Sequence, residues 1–179
     1  MANRVIETIK SRVSCRYYTT TKVPLSKVKE VAEAGMMAPS GKNRQICNIT
    51  VVRTKRLVDK LRQLSIDVCK RDCYYGASTI ILVSGPRDDA FTDVDGACIL
   101  ENMFVAATSL KLNSCWINQT EMILSDPKGA RFRKSLGLDE NHRVVGACVL
   151  GYAADPEQLE VKPRKADFIK YLWFTKSSI

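Results

Sequence analysis

Residues 93–110 constrain this chain more than any other stretch. Ala97, Cys98, Ile99, Leu100, Met103, Phe104, Val105, Ala106, Ala107 and Leu110 leave a helix over that span with little polar face. A helix apolar on nearly all sides lies at the centre of a core or is covered by another subunit. Thr92 with Asp95 three residues on resembles a capping box, which sets the expected start of that helix.

The remaining elements follow from periodicity. Val5, Ile6 and Ile9 share one helical face within residues 4–11. Ser26 is placed to cap a second helix, whose Val28, Val31, Ala32, Gly35 and Met36 fall at i, i+3, i+4, i+7 and i+8. Residues 55–72 read as a basic amphipathic helix with Leu57, Leu61, Leu64 and Val68 inward, and Cys69 and Cys73 are expected on one of its faces. A further helix is expected around 126–136. Strands are expected at 46–52, 79–84, 114–117 and 143–152. Phe168, Tyr171, Leu172, Trp173 and Phe174 make the tail too aromatic to float in water, so residues 172–179 are expected to dock. No repeat or linker interrupts the chain, and one domain over 1–179 is expected.

Several chemistries are excluded or disfavoured. The seven cysteines are odd in number, form no CxxC and lie mostly in apolar segments, which fits free thiols in a reducing compartment. His142 is the single histidine and sits in the polar turn "DENHR"; it completes neither a zinc set nor an ordinary catalytic triad. Gly35 and Gly41-Lys42 miss the spacing of a phosphate loop, and no GxGxxG is present. No apolar run approaches the ~20 residues of a membrane span. The start opens directly into a helical pattern without a signal-peptide core, so a cytoplasmic protein with no membrane partner is expected. A net charge of +9 suits an anionic ligand. The basic residues are dispersed and no nucleic-acid motif appears, so no nucleic-acid partner is expected. An enzyme so equipped leaves the reaction to a cofactor.

One loop carries more polarity than a turn needs. "APSGKNRQ" (38–45) joins a helix to a strand yet presents Ser40, Lys42, Asn43, Arg44 and Gln45. With "SRVSCRYY" (11–18), "DGACILENMFVAATSLKLNSCWI" (95–117) and "VVGACVLGYAADPEQLEVKPRK" (144–165), it resembles, in order and spacing, the small members of the FMN-dependent nitroreductase family. The likeness spans essentially the whole chain. It implies an α+β fold: a mostly antiparallel central sheet flanked by helices, in an intertwined homodimer whose interface holds two FMN molecules. The apolar 93–110 helix would then pack in the dimer core, and the tail would embrace the partner.

The resemblance also implies a cofactor site. Arg12 matches the family's phosphate-pairing arginine, with Val13 beside it, and arginine's fork grips phosphate with two parallel charge-assisted bonds. Ser14 matches a residue near the ribityl and phosphate oxygens, and Arg16 a cation at the pyrimidine edge of the flavin. Lys162 and Arg164 match a late basic pair at the phosphate. Pro39, Ser40, Gly41 and Asn43 would cross onto the partner's flavin, supported by Gln45. Trp116, Ile117, Asn118 and Gln119 match the segment passing the central ring, where a backbone N–H near Asn118 would donate to flavin N5.

The function so implied is ping-pong hydride transfer. NADH or NADPH reduces FMN and leaves, and a small-molecule acceptor (a nitroaromatic, quinone or enone) takes the hydride in its place. An FMN carrier or sensor would use the same pocket without turnover. This chain departs from the family pattern at Gln45-Ile46-Cys47, where Gln-Pro-Trp is common, at Lys111 and Asn113, where glycines are expected, and at Asn118, where longer relatives are acidic. Arg44, Arg53 and Arg56 are candidate readers of a 2′-phosphate and equally ordinary surface charges.

Overall fold

In the computed structural model, residues 3–172 are described. Of the tail expected to dock, 173–179 lie outside them. The elements run α1 (Arg4–Ser11), α2 (Leu25–Met36), β1 (Asn48–Val52), α3 (Lys55–Cys69), β2 (Thr79–Pro86), α4 (Thr92–Ser109), β3 (Asn113–Ile117), α5 (Thr120–Ser125), α6 (Pro127–Arg133) and β4 (His142–Gly151). Single 3₁₀ turns occupy Gly41–Asn43, Lys134–Leu136 and Pro156–Gln158.

The strands form one antiparallel sheet in the order β1-β2-β4-β3. Its two middle strands are apolar along nearly their whole length because helices cover both faces. Side chains alternate across a strand, so Ile80 and Leu82 enter one core with Leu61, Leu64 and Ile123, from α3 and α5. Ile81 and Val83 enter the other with Val28, Val31, Leu100 and Met103, from α2 and α4. The pairing shifts between Val83 and Ser84, which places Val145 as an extra residue in β4. Val145 fills the space that Gly96 leaves on α4, where an added Cβ would lie 2.6 Å from it.

The 93–110 helix lies in the core on one side only. Gly96, Leu100, Met103, Phe104 and Ala107 are buried against the sheet and α2. On the opposite side Val94 is 60% exposed, and Cys98 and Val105 are half-buried. The apolar stripe of α1 stays outside the core too, with Val5, Ile6 and Ile9 all exposed.

Local signals failed where tertiary partners took the capping groups. Thr92 and Asp95 form no capping box: the Thr92 hydroxyl donates to Pro86 O at 2.7 Å, and Asp95 accepts from the Gly41 N–H. Ser26 makes no cap bond, since α2 starts at Leu25 after Pro24. Lys70 adopts the left-handed conformation (φ 61°) and ends α3 at Cys69, so Cys73 is not on that helix. The helix expected at 126–136 is α6 plus a 3₁₀ turn, and the short α5 was not foreseen. All seven cysteines are free thiols. No helix among the described residues is long and apolar enough to cross a membrane, and no group of His, Cys, Asp and Glu there could hold a metal.

Candidate functional site

An extended segment runs from Arg12 to Thr19 and is stitched between two strands. Cys15 N–H donates to Ser114 O at 2.9 Å, beside a parallel bridge from Ser14 to Ser114. Thr19 N–H donates to Tyr152 O at 2.8 Å, and Ala154 N–H donates to Tyr17 O at 3.0 Å. Tyr18 lies over Gly151, and its hydroxyl donates to Cys15 O at 2.9 Å. Burial pushes that phenol far above its ordinary range.

This stitching carries the chain leaving β4 back alongside residues 12–16. Arg12, Val13, Ser14, Arg16, Lys162 and Arg164 line one cleft of about 320 Å³, together with residues 158–161. Four cations face it against one carboxylate, Glu160, whose contact with Lys162 is solvent-exposed at 3.7 Å. An exposed pair at that distance neutralises little. The cleft is therefore a concentrated positive site open to an anion.

The loop of residues 38–45 lies elsewhere. Pro39, Ser40 and Gln45 line a second cavity of about 390 Å³ between α2, β1 and α4, with Met36, Cys47 and Asp95. The two cavities share no lining residue. Gly41 and Asn43 form the 3₁₀ turn beside it, and Asn43 is exposed. Lys42, Asn43 and Gln45 all have positive φ (55°, 54° and 51°). For residues other than glycine this costs on the order of 1–3 kcal/mol each, with Asn the most tolerant, and such strain persists only where neighbours hold it.

The holding bonds are explicit. Gln45 N–H donates to Ser40 Oγ and Gln45 Nε2 to Asn43 Oδ1, each at 3.0 Å. Gly41 N–H donates to Asp95 Oδ1 at 2.9 Å. Arg44 donates to both oxygens of Asp89 at 2.7 and 2.8 Å and stacks on Phe91. The Arg44 guanidinium holds the Asp89 carboxyl below its usual range. Asp89, Phe91 and Asp95 thus hold this loop, a role that sequence reasoning missed. Their signal was the acidic run opening α4, which also looks like helix-terminus chemistry.

At the end of β3, Trp116 is 36% exposed, rests near Phe104 and covers Gly146. Ile117 is 1% exposed and paired with Ala147 in the sheet, so its side chain belongs to the core. Asn118 and Gln119 turn into α5, with Asn118 exposed. Of the three candidate 2′-phosphate readers, Arg44 is engaged with Asp89 and Arg53 donates to Val23 O at 2.6 Å. Arg56 is exposed in the first turn of α3.

The profile of the nitroreductase family matches residues 9–72 and 63–152. A crystal structure of a nitroreductase with bound FMN from Bacteroides fragilis is 35% identical; it superposes with a TM-score of 0.89, covering 96% of this chain and 100% of that one. A nitroreductase with bound FMN from Desulfitobacterium hafniense is 25% identical, with a TM-score of 0.86, covering 97% of this chain and 100% of that one. A curated relative from Archaeoglobus fulgidus, provisionally named NADH dehydrogenase/NAD(P)H nitroreductase, is 24% identical over 84% of this chain and 86% of its own length.

Proposed function

Because the chain belongs to the nitroreductase family, we propose that it is an FMN-dependent oxidoreductase working with NADH or NADPH as electron donor. The observation that carries this reading is the cleft in which Arg12, Ser14, Arg16, Lys162 and Arg164 meet from opposite ends of the chain. Its chemistry fits a phosphate: guanidinium forks, an ammonium and a hydroxyl, with one weakly paired acid.

Arg12 and Arg164 would grip the FMN phosphate, and Lys162 would add a point charge. Val13 and Ser14 would lie along the ribityl chain. Arg16 would face the pyrimidine edge of the ring, where a cation favours added electrons. Trp116, Ile117, Asn118 and Gln119 would pass the central ring and offer backbone N–H groups. When bound, FMN supplies the hydride chemistry, passing a pair of electrons from the nicotinamide to a nitroaromatic, quinone or enone. Water would supply the last proton, which is consistent with the lack of histidine in both cavity linings.

The site needs a second copy of the chain. Pro39, Ser40, Gly41, Asn43 and Gln45 lie apart from the basic cleft within one chain, which supports their serving the partner's FMN. The outward faces of α1 and α4 supply the apolar surface for a homodimer of single-domain chains. Free thiols throughout fit a cytoplasmic setting.

Anaerobic titration of the purified yellow protein with NADH and with NADPH tests the function. Stoichiometric bleaching of the flavin, reversed by a quinone, is expected. Bound flavin that neither donor reduces would make the protein a carrier, and a colourless protein that takes up no FMN would overturn the cofactor.

A further inference from the structure

Resting on the FMN reading above, we infer that Asp95 is a positioning residue for the flavin site: its hydrogen bond to Gly41 holds the strained 40–45 loop in a ligand-ready shape. Asp95 is 3% exposed, and its Oδ1 accepts from Gly41 N–H at 2.9 Å. Its Oδ2 is buried without a partner. A carboxylate is costly in that state, and a stabilising role alone does not explain it, since an apolar residue would fill the same space more cheaply.

The bond lies where the loop most needs an anchor. Gly41 is followed at once by Lys42 and Asn43 in left-handed conformation, then by Gln45. The phenyl ring of Phe91 closes over Gly41, so the turn is pressed from one side and tethered from the other. Arg44 repeats the tether on Asp89, in the turn before α4. Both anchors sit in or just before the first turn of α4, a helix packed on the sheet, so the loop is tied to the core. Without Asp95, the Gly41 N–H loses its partner and Lys42 and Asn43 are free to relax to negative φ. The groups of Ser40 and Asn43 would then leave the places a ligand needs, which is a cost in preorganisation.

The test compares FMN affinity of the apo dimers carrying Asp95→Ala, Asp95→Asn and Arg12→Ala, well below each melting temperature, together with visible circular dichroism of the bound flavin. Asn keeps an oxygen for Gly41 and removes the charge. Asp95→Ala should weaken FMN by about ten-fold and alter the flavin dichroism. Asp95→Asn should restore both to within about three-fold of wild type. Should Asp95→Ala not fold, Asp95→Ser, whose shorter side chain falls short of Gly41, takes its place. If Arg12→Ala weakens FMN while Asp95→Ala binds like wild type, the inference is overturned and the cofactor reading stands. Equal losses in Asp95→Ala and Asp95→Asn also overturn it, because charge rather than the Gly41 bond would then matter. If Arg12→Ala too leaves FMN untouched, the cofactor reading itself falls.

Discussion

Cys15 N–H donates to Ser114 O at 2.9 Å, and this bond lays the arginine-bearing segment against the strand that ends at Ile117. Arg12 and Arg16 thereby share a frame with Trp116 and Asn118, although about a hundred residues separate them. The same segment is fixed at its other end by Tyr18 seated over Gly151.

That seat gives a first prediction. A Cβ at Gly151 would lie 2.6 Å from the Tyr18 ring. Gly151→Ala should destabilise the protein by about 1–3 kcal/mol through overpacking. It should also weaken FMN, because residues 12–16 are displaced. Thermal unfolding and FMN titration measure the two effects. An unchanged melting temperature would show that Tyr18 does not hold the segment there.

Acid stability should depend on Glu121. Burial pushes its carboxyl up, but the Val144 N–H, the Ser125 hydroxyl and Arg133 together hold it below the usual glutamate range. A folded-state value below the unfolded one contributes stability that is present at neutral pH and lost as pH falls through the folded value. Glu121→Gln should therefore be less stable at pH 7 and show a flatter loss of stability below about pH 4.5. Parallel pH curves for the two proteins would refute this role.

Thiol labelling reports on the interface. Cys98 is half-buried on the outward face of α4 near Val94. Cys148 is fully buried, and burial pushes its thiol far up. Cys47 is pushed up to about 11 by burial and by the negative charge of Asp95. Thiolates are the reactive form, so Cys148 should label only on unfolding and Cys47 slowly. Cys98 should resist iodoacetamide in the dimer and react in a Val94→Asp variant that dissociates. Equal Cys98 rates in both would place the interface elsewhere.

Complementation tests whether each site draws on two chains. In a mixed dimer, one subunit carries Arg12→Ala and the other Asn43→Ala. If the 38–45 loop serves the partner's flavin, both changes fall on one site and the other stays intact. One FMN per dimer should then bind with wild-type affinity. Two weakened sites and no intact one would show that loop and cleft of the same chain act together.

Much of this was legible in the sequence, and the exceptions have physical causes. The middle strand runs were plain because burial on both faces writes itself as unbroken hydrophobicity, and the 93–110 helix because its outward side is apolar as well as its buried one. Arg12 and Arg164 were singled out by resemblance, and periodicity gave no hint that they meet. Asp95 was misread because an acid in a first helical turn ordinarily serves its own helix, and here a distant loop took the bond. The positive φ of Lys42 and Gln45 was hidden because neither residue type advertises it. The end of α3 at Cys69 was missed for the same reason at Lys70.

The central claim is that Arg12 and Arg164 hold one FMN phosphate. Titration of FMN and riboflavin into apo wild type, Arg12→Ala, Arg164→Ala and the double variant tests it most directly. Each single change should forfeit about 1.5–3 kcal/mol of charge-assisted bonding, or about ten- to hundred-fold in FMN affinity. The double variant should lose less than the sum, because the two groups share one ligand charge. Riboflavin, which lacks the phosphate, should bind wild type poorly and respond little to either change. FMN affinity unmoved in both single variants would contradict the assignment, whatever the colour of the protein.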